Sequence, residues 1–152
     1  MKVFASLLVA LVASLSSPAF AQFAKPEDAV KYRQSALTVI AAHFGRIGAM
    51  ASGRAPYDAK AATENAQVVA DLARLPWAGF GPGTDKISQK AKPEIWKQAP
   101  KFKAAMDAFI RQANLFQQAA QSGNANAIRG EARKLGMTCK GCHDQFRVPE
   151  QH

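Results

Sequence analysis

The two cysteines of the chain, Cys139 and Cys142, lie three residues apart in "GMTCKGCHDQFR", and His143 directly follows the second. Cys-x-x-Cys-His is a pattern for covalent haem attachment. Its physical basis is the helical repeat, which places positions 139, 142 and 143 within about 100° of one another. Two thiols one turn apart can bond the two vinyl groups of a haem, and the adjacent imidazole reaches the iron from the same side. Other chemistries account for less of the pattern. A simple disulfide leaves His143 without a role. A thioredoxin-like redox pair needs a βαβ context, and the sequence carries no strand signal. A structural zinc needs two further ligands at matching spacing, and only His43 and His152 remain.

The second axial position of a haem iron decides between electron transfer and ligand binding. Beyond the N-terminal apolar run, Met50, Met106, Met137, His43 and His152 carry ligating atoms. Met137 shares the attachment helix and cannot reach the opposite face, and His152 ends the chain. Met50 and His43 fall away from the level expected for the haem. Between Val30 and Leu37 the apolar stripe is interrupted by Arg33 and Gln34. These two read either as a solvated polar pair or, beside a haem, as partners of a propionate. Leu37, one turn further in, lies over the iron face. An aliphatic side chain there cannot ligate and keeps the site five-coordinate and dry. Arg147, one turn beyond His143, approaches the ligand side. Gly136 and Gly141 thin the helix face beside the haem.

These residues need elements to position them, and the periodicity supplies four helices. The first covers residues 26–51, opened by Pro26 with Glu27 and Asp28 in its first turn and closed by Gly53. Its apolar stripe is Val30, Leu37, Ala41, Phe44 and Ile47. The second covers 58–75, capped by Asp58, with Ala62, Ala66, Val69, Leu72 and Leu75 inward. A Gly- and Pro-rich loop follows. The third covers 93–122, with Ile95, Ala99, Phe102, Ala105, Phe109, Ala113 and Phe116 inward and a kink at Pro100. The fourth covers 126–147 and carries Ile128, Ala132, Leu135, both cysteines and Phe146 on its inner face. The pattern predicts an all-α, antiparallel four-helix bundle.

The first 21 residues have the features of a secretory signal peptide: Lys2, a run of about a dozen apolar residues and a small-residue end at Ala19 and Ala21. The run is shorter than the roughly 20 residues of a bilayer-spanning helix. Cleavage after Ala21 leaves residues 22–152 as one haem domain, exported from the cytoplasm and not inserted in a membrane; the signal alone does not separate periplasm from medium, and the periplasm is the expected compartment. The formal charge is +9, but the basic residues look scattered. No zinc-finger spacing or basic arm suggests nucleic acid. The charge reads as solubility and steering of partners.

Four stretches, "FAKPEDAVKYRQSAL", "LPWAGFGPGT", "KPEIW" and "CKGCHDQFR", resemble the cytochrome c′ family and occur in its order. The likeness spans nearly all of residues 22–152. It implies a four-helix bundle, a homodimer through the first two helices, and one covalent, five-coordinate, high-spin haem c. By motif, His143 is the proximal ligand, Cys139 and Cys142 form the thioethers, and Leu37 blocks the distal face. Arg33 and Gln34 match the propionate side, and Arg147 the proximal pocket. The loop "TDKISQKAK" departs in length from the family pattern, so no haem contact is assigned to it. The resemblance implies binding of nitric oxide and carbon monoxide, with poor binding of dioxygen. An electron carrier that meets an acidic redox partner is the alternative. No distal His/Arg pair or second redox centre supports an enzyme. Val39, Ile40 and Val68 supply apolar surface for a dimer.

Overall fold

The computed structural model describes residues 22–149. The expected signal segment and His152 lie outside them. Helix α1 spans Pro26–Ala51, with Pro26 at its start and Glu27 and Asp28 in the first turn. Proline needs no N–H there, and the carboxylates suit the positive end of the helix dipole. Gly53, at φ 75°, ends the helix by donating to Met50 O at 3.2 Å. Helix α2 spans Ala59–Leu72. The Asp58 carboxylate caps it by accepting from Ala61 N at 3.0 Å.

The third predicted helix is two. A single turn, α3 (Glu94–Lys97), stops at Gln98, and α4 runs over Ala99–Gln121. Pro100 therefore lies in the first turn of a new helix, where a missing N–H costs nothing, and does not kink a continuous one. Helix α5, Ala125–Phe146, is capped by Asn124, whose side chain accepts from Asn126 N and Ala127 N. The chain packs α4 against α5, α2 against α4 and α1 against α2. This is the expected bundle, and no strand is present among the described residues.

Two side-chain predictions are corrected. Leu75 belongs to a 3₁₀ helix, Leu75–Phe80, and is exposed, because α2 ends three residues earlier. Ala99 is exposed, because it begins α4 at the break.

Two apolar clusters organise the interior. The larger joins Ile47, Val69, Phe116, Ile128 and Leu135 across α1, α2, α4 and α5. The smaller joins Ile95, Phe102 and Phe146. Trp77 of the 3₁₀ helix packs against both. The far end of the bundle is tied by Tyr57 Oη donating to Gly123 O at 3.1 Å and Arg129 Nε donating to Ala51 O at 3.0 Å.

The 3₁₀ helix lies on α1 through Gly79. A Cβ there would stand 2.5 Å from Ala29 O and 2.7 Å from Arg33 Cβ. Backbone oxygen cannot yield cheaply, so Gly79→Ala must push the 3₁₀ helix off α1. We expect a loss of about 1–3 kcal/mol, typical of overpacking, in chemical unfolding of the haem-loaded protein. Gly81→Ala, whose added Cβ meets only Ala78 O at 4.0 Å, serves as the near-neutral control. Equal stability of the two variants would refute the tight contact.

Candidate functional site

Between the two apolar clusters lies a cavity of about 900 Å³. That is within the range of pockets for sizeable organic ligands. Helix α1 contributes Arg33, Gln34, Leu37, Ala41 and Phe44, and the 3₁₀ helix adds Trp77 and Phe80. Helix α4 supplies Phe102 and Phe109. Helix α5 lines the opposite side with Gly136, Cys139, Cys142, His143 and Arg147. All seven residues singled out from sequence therefore meet at one cavity. The helical repeat brings both thiols and the imidazole to it, as their spacing requires.

Burial pushes the Cys139 thiol up, and burial together with the nearby Cys139 pushes Cys142 up to about 11. Both shifts favour the protonated thiol. Neither is disulfide-bonded.

Arg33 is only 3 % exposed. Its Nη1 donates to Gly79 O at 2.6 Å, and its guanidinium carbon stands 4.3 Å above the Phe80 ring. Burial lowers its pKa, yet a guanidinium stays charged in proteins. Nη2 is buried with no hydrogen-bond partner. A buried charged donor of this kind calls for an anionic acceptor, and Arg33 lines the cavity. Gln34 beside it is exposed at the cavity edge, so the pair does not share one environment. Leu37 is half-buried.

His143 is exposed and Arg147 is half-buried. The two also line a smaller hollow of about 350 Å³ with Asp144, Val148 and Pro149, on the ligand side of α5. Gly136 lines the large cavity, but Gly141 does not.

The alternative axial ligands are directed elsewhere. His43 Nδ1 is 2.8 Å from Asn65 Oδ1 on α2. Met50 is buried in the larger cluster, Met106 packs on the smaller one, and Met137 is 60 % exposed. Among the described residues, no methionine and no histidine other than His143 lines the cavity.

Sequence reasoning missed part of the wall. Ser88, Lys90 and Ala91 of the long loop line the cavity. Lys92 N donates to Phe146 O and Val148 N to Lys90 O, which draws the loop onto the end of α5. The aromatic wall was also missed as a unit. Phe80 and Phe102 meet at 4.9 Å between centroids, and Phe102 and Phe146 at 5.2 Å. Trp77 and Phe80 are large apolar residues in a Gly- and Pro-rich loop, which is the signal the sequence carries for them.

The fold and site together define a helical bundle with a c-type haem-attachment sequence on its last helix. The family model described as Cytochrome C′ matches residues 28–147. The chain is 50 % identical over 127 residues to cytochrome c′ of Rubrivivax gelatinosus, covering 83 % of this chain and 98 % of that one. It is 48 % identical over 126 residues to cytochrome c′ of Alcaligenes xylosoxydans xylosoxydans, again covering 83 % and 98 %. Among solved structures, the Rubrivivax gelatinosus protein superposes with a TM-score of 0.81 at 49 % identity, over 84 % of this chain and all of that chain. A leucine-to-alanine variant of the Alcaligenes xylosoxidans protein, in its nitric oxide complex, superposes with a TM-score of 0.79 at 46 % identity, over 85 % of this chain and all of that one. This chain belongs to the cytochrome c′ family.

The residues present fit a haem c. The cavity is wide and apolar-walled, its α5 side carries the attachment triad, and the orphaned Arg33 Nη2 supplies a donor for a carboxylate. Cys139→Ala or Cys142→Ala should therefore leave little haem-loaded protein, because attachment fixes the occupant that the two apolar clusters flank. Haem staining after denaturing electrophoresis reads this directly. Normal covalent haem in both variants would contradict the assignment.

Proposed function

We propose that this chain is a periplasmic, monohaem cytochrome c′ that binds nitric oxide and carbon monoxide and sequesters or passes on nitric oxide, without catalysing turnover. The observation that carries the reading is the cavity lining: among the described residues, His143 is its sole imidazole and no thioether faces it. A haem bound there supplies an iron with one coordination position left for a small ligand. His143 is the ligand on the α5 side, and Cys139 and Cys142 anchor the haem through thioethers. Arg33 offers its unpartnered Nη2 to a propionate, with Gln34 at the same edge. Leu37 stands on the opposite wall from α5, as the apolar barrier an entering ligand displaces. Arg147 lies on the proximal side with His143. The nitric oxide complex known for a relative supports the ligand class.

Export through residues 1–21 supports the compartment. Among the described residues, no helix is long and apolar enough to cross a membrane. A homodimer through α1 and α2 fits Val39, which is 41 % exposed, and half-buried Val68. Ile40 does not contribute: it is buried in the core and lines the cavity. The partner surface is therefore smaller than the sequence suggested. Sedimentation of the haem-loaded protein at tens of micromolar should give the dimer mass, and a monomer mass would remove the dimer.

One observation favours the electron-carrier alternative. Residues 86–103 hold six lysines and one glutamate, a net of +5 out of +9 for the whole chain, with Asp85 at the border. The same segment walls the cavity through Ser88, Lys90, Ala91, Ile95 and Phe102. Lys103 pairs with Asp107 at 2.7 Å, and Lys90 lines the cavity itself, so part of this charge lies beside the haem site, which suits an acidic redox partner.

Leu37→Ala tests the leading reading. Shortening the side chain removes packing that a ligand must otherwise displace, while the wall stays apolar. The affinity for carbon monoxide and the on-rate for nitric oxide should both rise in the ferrous protein, by about tenfold for each 1.4 kcal/mol of displaced packing. The unmodified ferrous protein should show a high-spin spectrum. Sharp low-spin bands would favour the carrier, and unchanged ligand binding in Leu37→Ala would remove Leu37 from the distal face.

A further inference from the structure

The last turn of α5 carries His143, and the carbonyl groups near its end lack donors from the helix itself. One residue from a distant segment bonds two of them. The main-chain N–H of Lys92 donates to Phe146 O at 2.9 Å, and the Lys92 ammonium donates to Asp144 O at 2.9 Å. Val148 N–H donates to Lys90 O at 3.1 Å, completing an antiparallel bridge between Ala91 and Arg147. Within the turn, Arg147 N–H donates to His143 O at 3.0 Å. A strap from the 84–92 loop thus grips the chain immediately after the iron ligand.

The sequence explains why Lys92 serves here. It precedes Pro93, and the residue before a proline is held in extended backbone, which the bridge requires. Its positive charge meets the negative end of the α5 dipole. The neighbouring Lys140 bonds the Asp144 carboxylate at 2.5 Å, but that pair lies within α5 and cannot hold the helix to another element.

We propose that Lys92 is a positioning residue for the iron ligand. By capping Asp144 and Phe146 it fixes the backbone of the last α5 turn, and with it the direction from which the His143 imidazole meets the iron. Lys92 acts through the turn and does not line the cavity. This inference rests on the haem-binding reading above.

The test uses ferrous haem-loaded protein. Lys92→Met keeps the stem and the main-chain donor but removes the ammonium, and Lys92→Arg keeps a cationic donor. Tyr57→Phe, which releases the tie at the far end of the bundle, controls for general loosening. Two quantities are read: the iron–histidine stretching band by resonance Raman, and amide exchange at Arg147 and Val148. Lys92→Met should displace and broaden the band and speed exchange about two- to fivefold, the scale of a lost charge at a helix end. Lys92→Arg should restore both, and Tyr57→Phe should move neither. Where Lys92→Met gives too little protein, Lys92→Gln should show the same changes in smaller measure. A band unmoved while exchange quickens would make Lys92 a cap without influence on the ligand, and overturn the proposal. So would an equal band shift in Tyr57→Phe, or no rescue by arginine. Failure of the haem reading itself looks different: the unmodified protein would then show no iron–histidine band.

Discussion

The geometry of the site depends on one buried charge. Arg33 gives Nη1 to Gly79 O and lays its guanidinium over Phe80, so it fixes the height of the 3₁₀ helix on α1. That contact also needs Gly79, since any side chain there would strike Ala29 O. Once the 3₁₀ helix is seated, Trp77 and Phe80 form a wall of the cavity. A guanidinium buried this deeply carries a desolvation cost that one carbonyl and one ring face offset in part. The remaining donor, Nη2, makes an anionic group on the ligand a condition of a comfortable site. The residue that builds the wall thus also selects what the wall receives.

The two apolar clusters follow from that arrangement. They approach each other through Trp77, and the cavity between them far exceeds the water-sized voids of a close-packed interior. Its lining is dominated by large aromatic faces, with the α5 attachment triad along one side. A flat, apolar, carboxylate-bearing occupant matches each feature. Such an occupant makes its contacts in the folded chain and loses them on unfolding, so it favours the folded state, and thioethers to Cys139 and Cys142 would keep it on the chain in both states.

Much of this was legible in the chain. Pro26, Gly53 and Asp58 marked helix ends because capping chemistry is local, and the bounds of α1 came out as predicted. The attachment triad was legible because its three residues share one helix. Features that depend on distant pairing were not. Pro100 looked like a kink in an unbroken apolar period. What breaks the helix is Gln98 leaving helical backbone at φ −119°, ψ 43°, which no residue type there announces. The strap between Ala91 and Arg147 joins segments more than fifty positions apart, and the loop offered no periodicity. Gln34 was paired with Arg33 by adjacency, yet neighbouring helix positions point about 100° apart, so one is buried and the other exposed.

The polar groups around the cavity bear on which gas the proposed iron would favour. Bound dioxygen develops negative charge and gains from a hydrogen-bond donor on the distal side, whereas nitric oxide binds ferrous iron without one; distal polarity and donors decide between them. Three of the donors around the cavity already have partners. Trp77 Nε1 donates to Ala73 O at 2.7 Å. The hydroxyl of Thr38 donates to Gln34 O at 2.8 Å, and that of Thr138 to Leu135 O at 2.7 Å. Arg33 Nη2 lacks a partner in the protein, and a haem propionate would take it. Leu37, Ala41, Phe44 and Phe80 add only apolar surface. Under the proposed gas-binding reading, discrimination against dioxygen would rest on donors that are committed to the backbone or, like Gln34, Ser88 and Lys90, belong to the cavity rim and the long loop, and a Leu37 barrier would act on top of it by making every ligand displace packing before it binds.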